Sequence, residues 1–582
     1  MLNYLKRWAW GRRIRLLNLE LRNRFLGLPD WGMLRKGETW SRTLANARGP
    51  KVLIATNVGL HTAANSLDSV LAVALALRGA RVHSLLCDQV LPACLACERG
   101  WYPDPAHFIA HGPAKSMCGA CYGPAKRMWD SVGVTGKRLG NHLTEQDRQA
   151  AWRLAASIPA SEIDSMEYMG VRVGMHARSG TLRYFASGTL DHEPDAEPVR
   201  RRYLAASLMA TKALDKLLRE GRYDVCVAHH GIYIPQGLLV DLCRQQGVRL
   251  VTWNIAYRAG SFIFSHDDTY HFTLMDEPVS SWESLSWGSA QLRALDGYMR
   301  ARETGAMDWV SYQDGTGQSV DWLKDQLGIA FDKPIVSAFT NVLWDAQVFY
   351  QSNAFPSMLD WLFETVRYFK TRSDIQLVIR VHPAEIQNAV KSRQTVVAEL
   401  ARAFATLPPN IFVIPPHVRV NSYALAKQSN AAIIYGTKMG IELAYMGIPT
   451  IVAGESWARN KGFTLDASSR EDYLALLDRL PLSHELDEAV LERAAKYAFH
   501  FFFRRTRPLE FLTVQKGVWP PFRVALENLE PLLRGRSRGL DVICDGILEG
   551  APFIYPAEEI LSHTDLSHAV SQTRPRNSLP AH

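Results

Sequence analysis

Two polar clusters sit where apolar runs stop. Gln376-Leu-Val-Ile-Arg-Val-His-Pro-Ala-Glu385 begins as a buried strand and ends in Arg380, His382, Pro383 and Glu385. Open α/β sheets place their ligands at strand ends of this kind. Arg380 and His382, two apart, fall on one strand face. Pro383 fixes the exit and removes a competing N–H. Glu385 either tunes His382 or caps the following helix. In the second cluster, Tyr435-Gly-Thr-Lys-Met-Gly-Ile-Glu442, a strand ends at Tyr435 and a helix begins at once. Backbone N–H groups there favour a phosphate, and Thr437 and Lys438 add a hydroxyl and a cation. Glu442 could accept two ribose hydroxyls. The competing reading is a helix cap with tight helix–strand packing. Neither GxxxxGK[ST] nor GxGxxG is present, so an ATPase or dinucleotide oxidoreductase is not supported.

Five of the eight cysteines fall between Cys87 and Cys121. Cys94-Leu-Ala-Cys97 and Cys118-Gly-Ala-Cys121 have the spacing of a closed four-thiolate shell. Structural zinc is the expectation, and the alternatives are an iron–sulfur cluster, disulfides or unligated thiols. Such a shell staples a loop and leaves no open position, so no catalytic cofactor is predicted.

These residues need sheets to hold them. Lys51–Asn57 reads as a strand, 63–77 as a helix and Arg81–Cys87 as a second strand, which is one βαβ unit. After a Cys-rich insertion over 87–125, helices are predicted over 144–158, 204–218 and 236–246. Strands are predicted over 223–229, 248–253 and 271–275. A second alternation has strands at 335–341, 375–381, 411–414, 431–435 and 448–453, with helices at 358–369 and 441–445. The fold class is therefore α/β, with two Rossmann-like domains facing a central cleft, at 45–278 and 330–480. The predicted flanks are a basic amphipathic segment (1–44), a helical connection (279–329), C-terminal helices (481–566) and a disordered tail (567–582). At 582 residues, two or three domains are expected.

R-x-H-P at Arg380–Pro383, followed by G-T-K-x-G-x-E-x-x-x-x-G-x-P from Gly436, resembles the capsule polysaccharide biosynthesis family over about residues 335–465. Members are glycosyltransferases of two-Rossmann (GT-B) architecture, some transferring Kdo from CMP-Kdo. The His-Pro pair is also similar to that of bacterial sialyltransferases. Two departures stand out: family members often have paired serines at Gly436 and Thr437, and the CxxC insertion is not general. The resemblance implies that His382 holds the donor phosphate, supported by Arg380. It puts Thr437, Lys438 and Gly440 on the other side of that phosphate and Glu442 on the ribose. The loop from Trp457 to Lys461 adds positive charge through Arg459 and Lys461. Cations at a departing phosphate dispense with a catalytic metal, and no D-x-D triplet is present.

The acceptor's proton needs a base. His61, in the first strand-to-helix loop, is the leading candidate; its alternative is a structural histidine at a helix start. His229, His230, Asp276 and Glu277 compete with it. His266, Asp267, Asp268 and His271 read as a solvated turn rather than a metal site.

The net charge of +8 is concentrated. Residues 1–36 hold nine Lys or Arg against Glu20 and Asp30, so the remainder is nearly neutral and nucleic acid is not an expected partner. Trp10, Ile14, Leu17, Leu21, Phe25 and Leu28 recur at helical spacing beside the arginines. That pattern suits an anionic inner-membrane surface, or equally a helix packed on the body. The expectation is a cytoplasmic glycosyltransferase that takes a nucleotide-sugar donor and a polysaccharide or lipid-linked acceptor. The alternatives are a non-catalytic export or assembly factor and a sugar-nucleotide 2-epimerase.

Overall fold

The computed structural model describes residues 28–35, 38–100, 105–309, 311–312, 320–349, 353–482, 486–515 and 519–563. Most of the basic N-terminal segment and the tail expected from 567 lie outside them. Among the described residues, no helix is long and apolar enough to cross a membrane.

Two separate, mainly parallel sheets organise the chain. The first contains β1 (Lys51–Asn57), β2 (Arg81–Leu86), β3 (Thr135–Arg138), β4 (Val225–His229), β5 (Arg249–Ile255) and β6 (Ser261–His266). The second contains β7 (Ile335–Phe339), β8 (Gln376–Arg380), β9 (Ile411–Ile414), β10 (Ala431–Ile434), β11 (Thr450–Val452) and β12 (Leu465–Asp466). A further short strand, β13 (Arg507–Pro508), returns to the first sheet and pairs antiparallel with β6.

Alternation of side chains along each strand builds both faces. Leu53 and Ala55 of β1 pack toward the Ala196–Gly221 helix, whereas Val52 and Ile54 pack toward the Thr62–Leu77 helix. Burial on both faces explains why these strands are continuously apolar. In the second domain Val336, Ala338, Leu377 and Ile379 pack with the Met358–Lys370 helix, and Val378, Ala432 and Ile434 pack on the opposite side.

Strand order fixes where ligands can enter. The first sheet runs β13-β6-β5-β4-β1-β2-β3 and the second β12-β11-β10-β7-β8-β9. Successive connections diverge between β1 and β4 in one sheet and between β7 and β10 in the other. At such switch points neighbouring loops leave in opposite directions and open a crevice at the carboxyl ends of the strands.

One expectation needs correction. Residues 271–275 are not a strand: Tyr270–Asp276 is a helix, capped by the Thr269 side chain, which accepts from Phe272 N at 3.5 Å. The sheet position is taken by β6, antiparallel to β5 after a tight turn through Gly260 (φ +77°). The second CxxC pair is helical, and burial, then Cys94, raises the pKa of both its thiols. Cys118 and Cys121 lie inside the Lys115–Val132 helix, and Cys121 Sγ accepts from Leu60 N at 3.1 Å. All eight cysteines are free, and among the described residues no group of three or more Cys, His, Asp or Glu side chains is arranged to hold an ion.

The same helix props the first ligand loop. A Cβ added at Gly59 would lie 2.2 Å from the Cys121 carbonyl oxygen, far inside contact distance. Gly59→Ala is expected to cost at least the ~1–3 kcal/mol of an overpacked core and to displace the loop that carries His61. Urea unfolding measures the cost, and wild-type stability in the variant would contradict this packing.

Candidate functional site

The carboxyl ends of β7, β8 and β10 surround a pocket of about 300 Å³. Thr340, Arg380, His382, Thr437, Lys438 and Glu442 line it, with Tyr257, Arg302, Asp308 and Tyr312 contributed from before the second sheet. The two motif segments therefore converge on one cavity. Their junction is tied by Asn341, which donates to the Gly436 carbonyl at 2.9 Å, and by Thr340 Oγ1, which accepts from His382 N at 3.1 Å.

His382 is neutral. Burial, then Lys438 and Arg380, lower its pKa to about 4. Its Nδ1 accepts from Ala384 N at 3.0 Å, so Nε2 carries the proton and is the nitrogen that can donate to a ligand. The Tyr312 ring stands edge-on to the imidazole, with centroids 5.2 Å apart.

Arg380 lines the pocket, but its guanidinium is used structurally. It donates to the Pro415 carbonyl at 2.9 Å and the Val420 carbonyl at 3.5 Å, which fixes the loop after β9. Burial lowers its pKa to about 10, and among the described residues no carboxylate pairs with it. It brings one of the three cationic side chains to the pocket lining.

Glu442 is also redirected. Its Oε1 receives Lys438 Nζ at 2.8 Å and Arg302 Nη2 at 2.9 Å, and its Oε2 receives the Tyr423 hydroxyl at 2.6 Å. Arg302 in turn meets Asp308 at 2.7 Å. Despite complete burial, Arg302 and Lys438 hold the Glu442 carboxyl at about 2. A carboxylate between two buried cations has both oxygens engaged, and it fixes the Lys438 ammonium in place.

Lys438 lies 4.7 Å from the centroid of the Tyr257 ring. Thr437 Oγ1 accepts from Met439 N at 3.3 Å in the turn before the helix. Gly440 serves packing: a Cβ there would stand 2.7 Å from Ile434 Cδ1 and 3.0 Å from Ala458 Cβ. Arg459 is buried, and Lys461 donates across the cleft to the Met275 and Glu277 carbonyls at 3.1 and 2.6 Å. These two cations of the 457–461 loop therefore serve the interior and the domain contact. Counting side chains, the cavity has Arg302, Arg380 and Lys438 against Asp308 and Glu442, one positive charge in excess.

The other switch point holds the histidines. The His61 and His229 rings are 4.4 Å apart, and those of His229 and His230 5.6 Å. Burial, then His230 and Arg183, lower His61 to about 4, and burial takes His230 to about 4 as well. The Nδ1 atoms of all three are buried without a hydrogen-bond partner. Glu277 is withdrawn from the candidate bases: it is buried, bonded to Arg505 Nε at 2.9 Å and His500 at 3.1 Å, and held at about 2. Asp276 is exposed at the end of its helix. In the acidic turn, His266 Nε2 lies 2.8 Å from the Ala551 carbonyl, and His271 Nε2 is 3.5 Å from Glu455.

The walls meet through Asp345, on the loop after β7. Its Oδ1 accepts from the Tyr233 hydroxyl of the first domain at 3.1 Å, and burial raises its pKa. Arg183 influences Asp345, His61 and His230, and Asp345 influences Tyr312, which abuts His382. Sequence reasoning missed Asp345 and Arg302. For Arg302 a signal existed: Leu295, Tyr298, Met299 and Arg302 form one buried stripe of the Ser289–Thr304 helix, and a cation in such a stripe requires a partner.

No family model matches the chain, and no curated protein matches its sequence. Among solved structures it is similar to Thermosulfurimonas dismutans KpsC, a beta Kdo 2,4 transferase. The identity is 13% over 49% of this chain and 82% of that one, with a TM-score of 0.33. It is also similar to the glycotransferase of kitacinnamycin, at 13% identity over 78% and 95% of the two chains and a TM-score of 0.23. UDP-GlcNAc 2-epimerase from Neisseria meningitidis aligns at 10% identity over 76% and 94%, with a TM-score of 0.22. At these scores the likeness carries no argument about function.

Proposed function

We propose that the protein is a glycosyltransferase that takes a nucleotide-sugar donor at the β7–β8–β10 pocket and an acceptor hydroxyl from the first domain. The observation that carries this reading is the convergence of Arg380–Pro383 and Gly436–Glu442 on one cavity at the second sheet's switch point. The neutral His382 donates from Nε2 to a donor phosphate oxygen. Lys438, aimed by Glu442, neutralises the charge that grows on that phosphate as the glycosidic bond breaks. Tyr257, Tyr312 and Tyr423 offer aromatic surface to the base and ribose. His61 takes the acceptor proton: it is unprotonated above about pH 4, and its Nδ1 has no other partner. The acceptor is a surface polysaccharide or its lipid-linked primer.

A thermal-shift screen of CMP, UDP and GDP compounds tests the donor site, because a ligand bound only by the folded state raises its stability. At a concentration about a hundredfold above Kd, the gain is about 2.7 kcal/mol. At least one nucleotide series is expected to stabilise the protein, and none doing so would reject the assignment. Labelled donor separates transfer from epimerisation, since only transfer moves label to an acceptor.

A further inference from the structure

A second cavity, of about 660 Å³, opens on the first domain where the loop after β2 meets the Glu145–Ser157 and Ala196–Gly221 helices. At its base is Arg202, only 8% exposed. This guanidinium donates through Nη2 to the Ile109 carbonyl, and its Nε is buried without a hydrogen-bond partner. Among the described residues, no carboxylate stands within ion-pair reach of it. A buried, uncompensated cation is costly unless an anion completes the site. The guanidinium carbon lies 5.1 Å from the centroid of the Trp152 ring, and that indole is 38% exposed. Lys115, His111 and Arg148 also line the cavity, and Glu145 is its one acid among the described residues, 4.0 Å from Arg148.

An indole backed by an arginine and ringed by cations suits a flat-faced ligand that carries negative charge. An inorganic anion would use the cations and leave the indole idle, and a neutral sugar would leave Arg202 uncompensated. We infer that this cavity is a subsite for an acidic sugar residue of a glycan, with its ring on Trp152 and its carboxylate toward Arg202. The inference deepens the glycosyltransferase reading by naming an acidic glycan as the molecule held on the acceptor side.

Calorimetric titration of the full chain with tetragalacturonate, with maltotetraose as the neutral control, tests it. Saturable binding at least tenfold tighter for tetragalacturonate is expected. Trp152→Ala and the double variant Lys115→Ala/Arg148→Ala, all at partly or fully exposed positions, are each expected to weaken it at least tenfold without lowering the melting temperature. Equal affinity for maltotetraose, unchanged affinity in both variants, or displacement by equimolar inorganic phosphate would overturn the assignment. His382→Ala is expected to bind tetragalacturonate as the wild type does, and loss of binding there would put the glycan in the main cleft instead. Tetragalacturonate binding alongside a failed nucleotide screen would remove the transferase reading and keep this subsite.

Discussion

His382→Ala is expected to lower transfer by two to three orders of magnitude while leaving the protein folded. The magnitude follows from removing one preorganised donor from a phosphate that gains charge in the transition state. His382→Gln is expected to recover part of the loss, because a carboxamide N–H reaches toward the position of Nε2. The imidazole titrates at about 4, so transfer between about pH 5.5 and 8 should show no inflection from His382. Steady-state rates of the three proteins across that range check the expectation. Wild-type rates in His382→Ala would leave a non-catalytic factor as the better reading. An inflection near pH 6.5 that vanishes in the variant would mean the ring works as a cation.

Glu442→Gln is expected to be the most destabilising single change at the site, by about 3–5 kcal/mol, as for a buried pair that loses one partner. Lys438 would lose its carboxylate, and Arg302 would keep Asp308 as its one carboxylate partner among the described residues. The pH dependence has a definite sign. The folded carboxyl sits at about 2 against an ordinary 4.5, so its contribution is complete above about 4.5 and drains away as pH falls toward 2. The variant should lack that part of the acid dependence. Urea unfolding at pH 7 and pH 4 measures both effects, and a loss below ~1 kcal/mol at pH 7 would show that the cluster is not a tightly coupled unit.

What the sequence made legible was local. Short β-rich runs broken by glycines and helical periods marked the strands of both parallel sheets, and a strand ending in Arg380 and His382 marked a ligand edge. Both motif segments reached the pocket because both are strand-end loops, and strand ends are readable without knowing the strand order. The missing information was non-local. The partners of Glu442 come from residues 302 and 423, and only the packed tertiary structure shows that its oxygens are already engaged. Asp345 matters because Tyr233, over a hundred residues earlier, reaches it. Cys118 and Cys121 have the spacing of a metal knuckle and also of two residues one helical turn apart, and both lie on one helix. The 270–276 segment was misread because Thr269 caps a helix that propensity alone leaves undecided.

The return of the chain after residue 500 bears on how the molecule works as a machine. β13, Leu509, Leu540, Ile543 and Phe553 complete the core of the first domain, and Asp541 binds Arg78 at 2.6 Å. The second domain is thereby inserted into the first, tethered by an outgoing and an incoming strand of chain. Between those two connections, Ala256, Ile263 and Leu274 share one buried apolar cluster with Ile441, Ala444, Trp457 and Phe463, so the halves are glued by a common core as well as joined by chain.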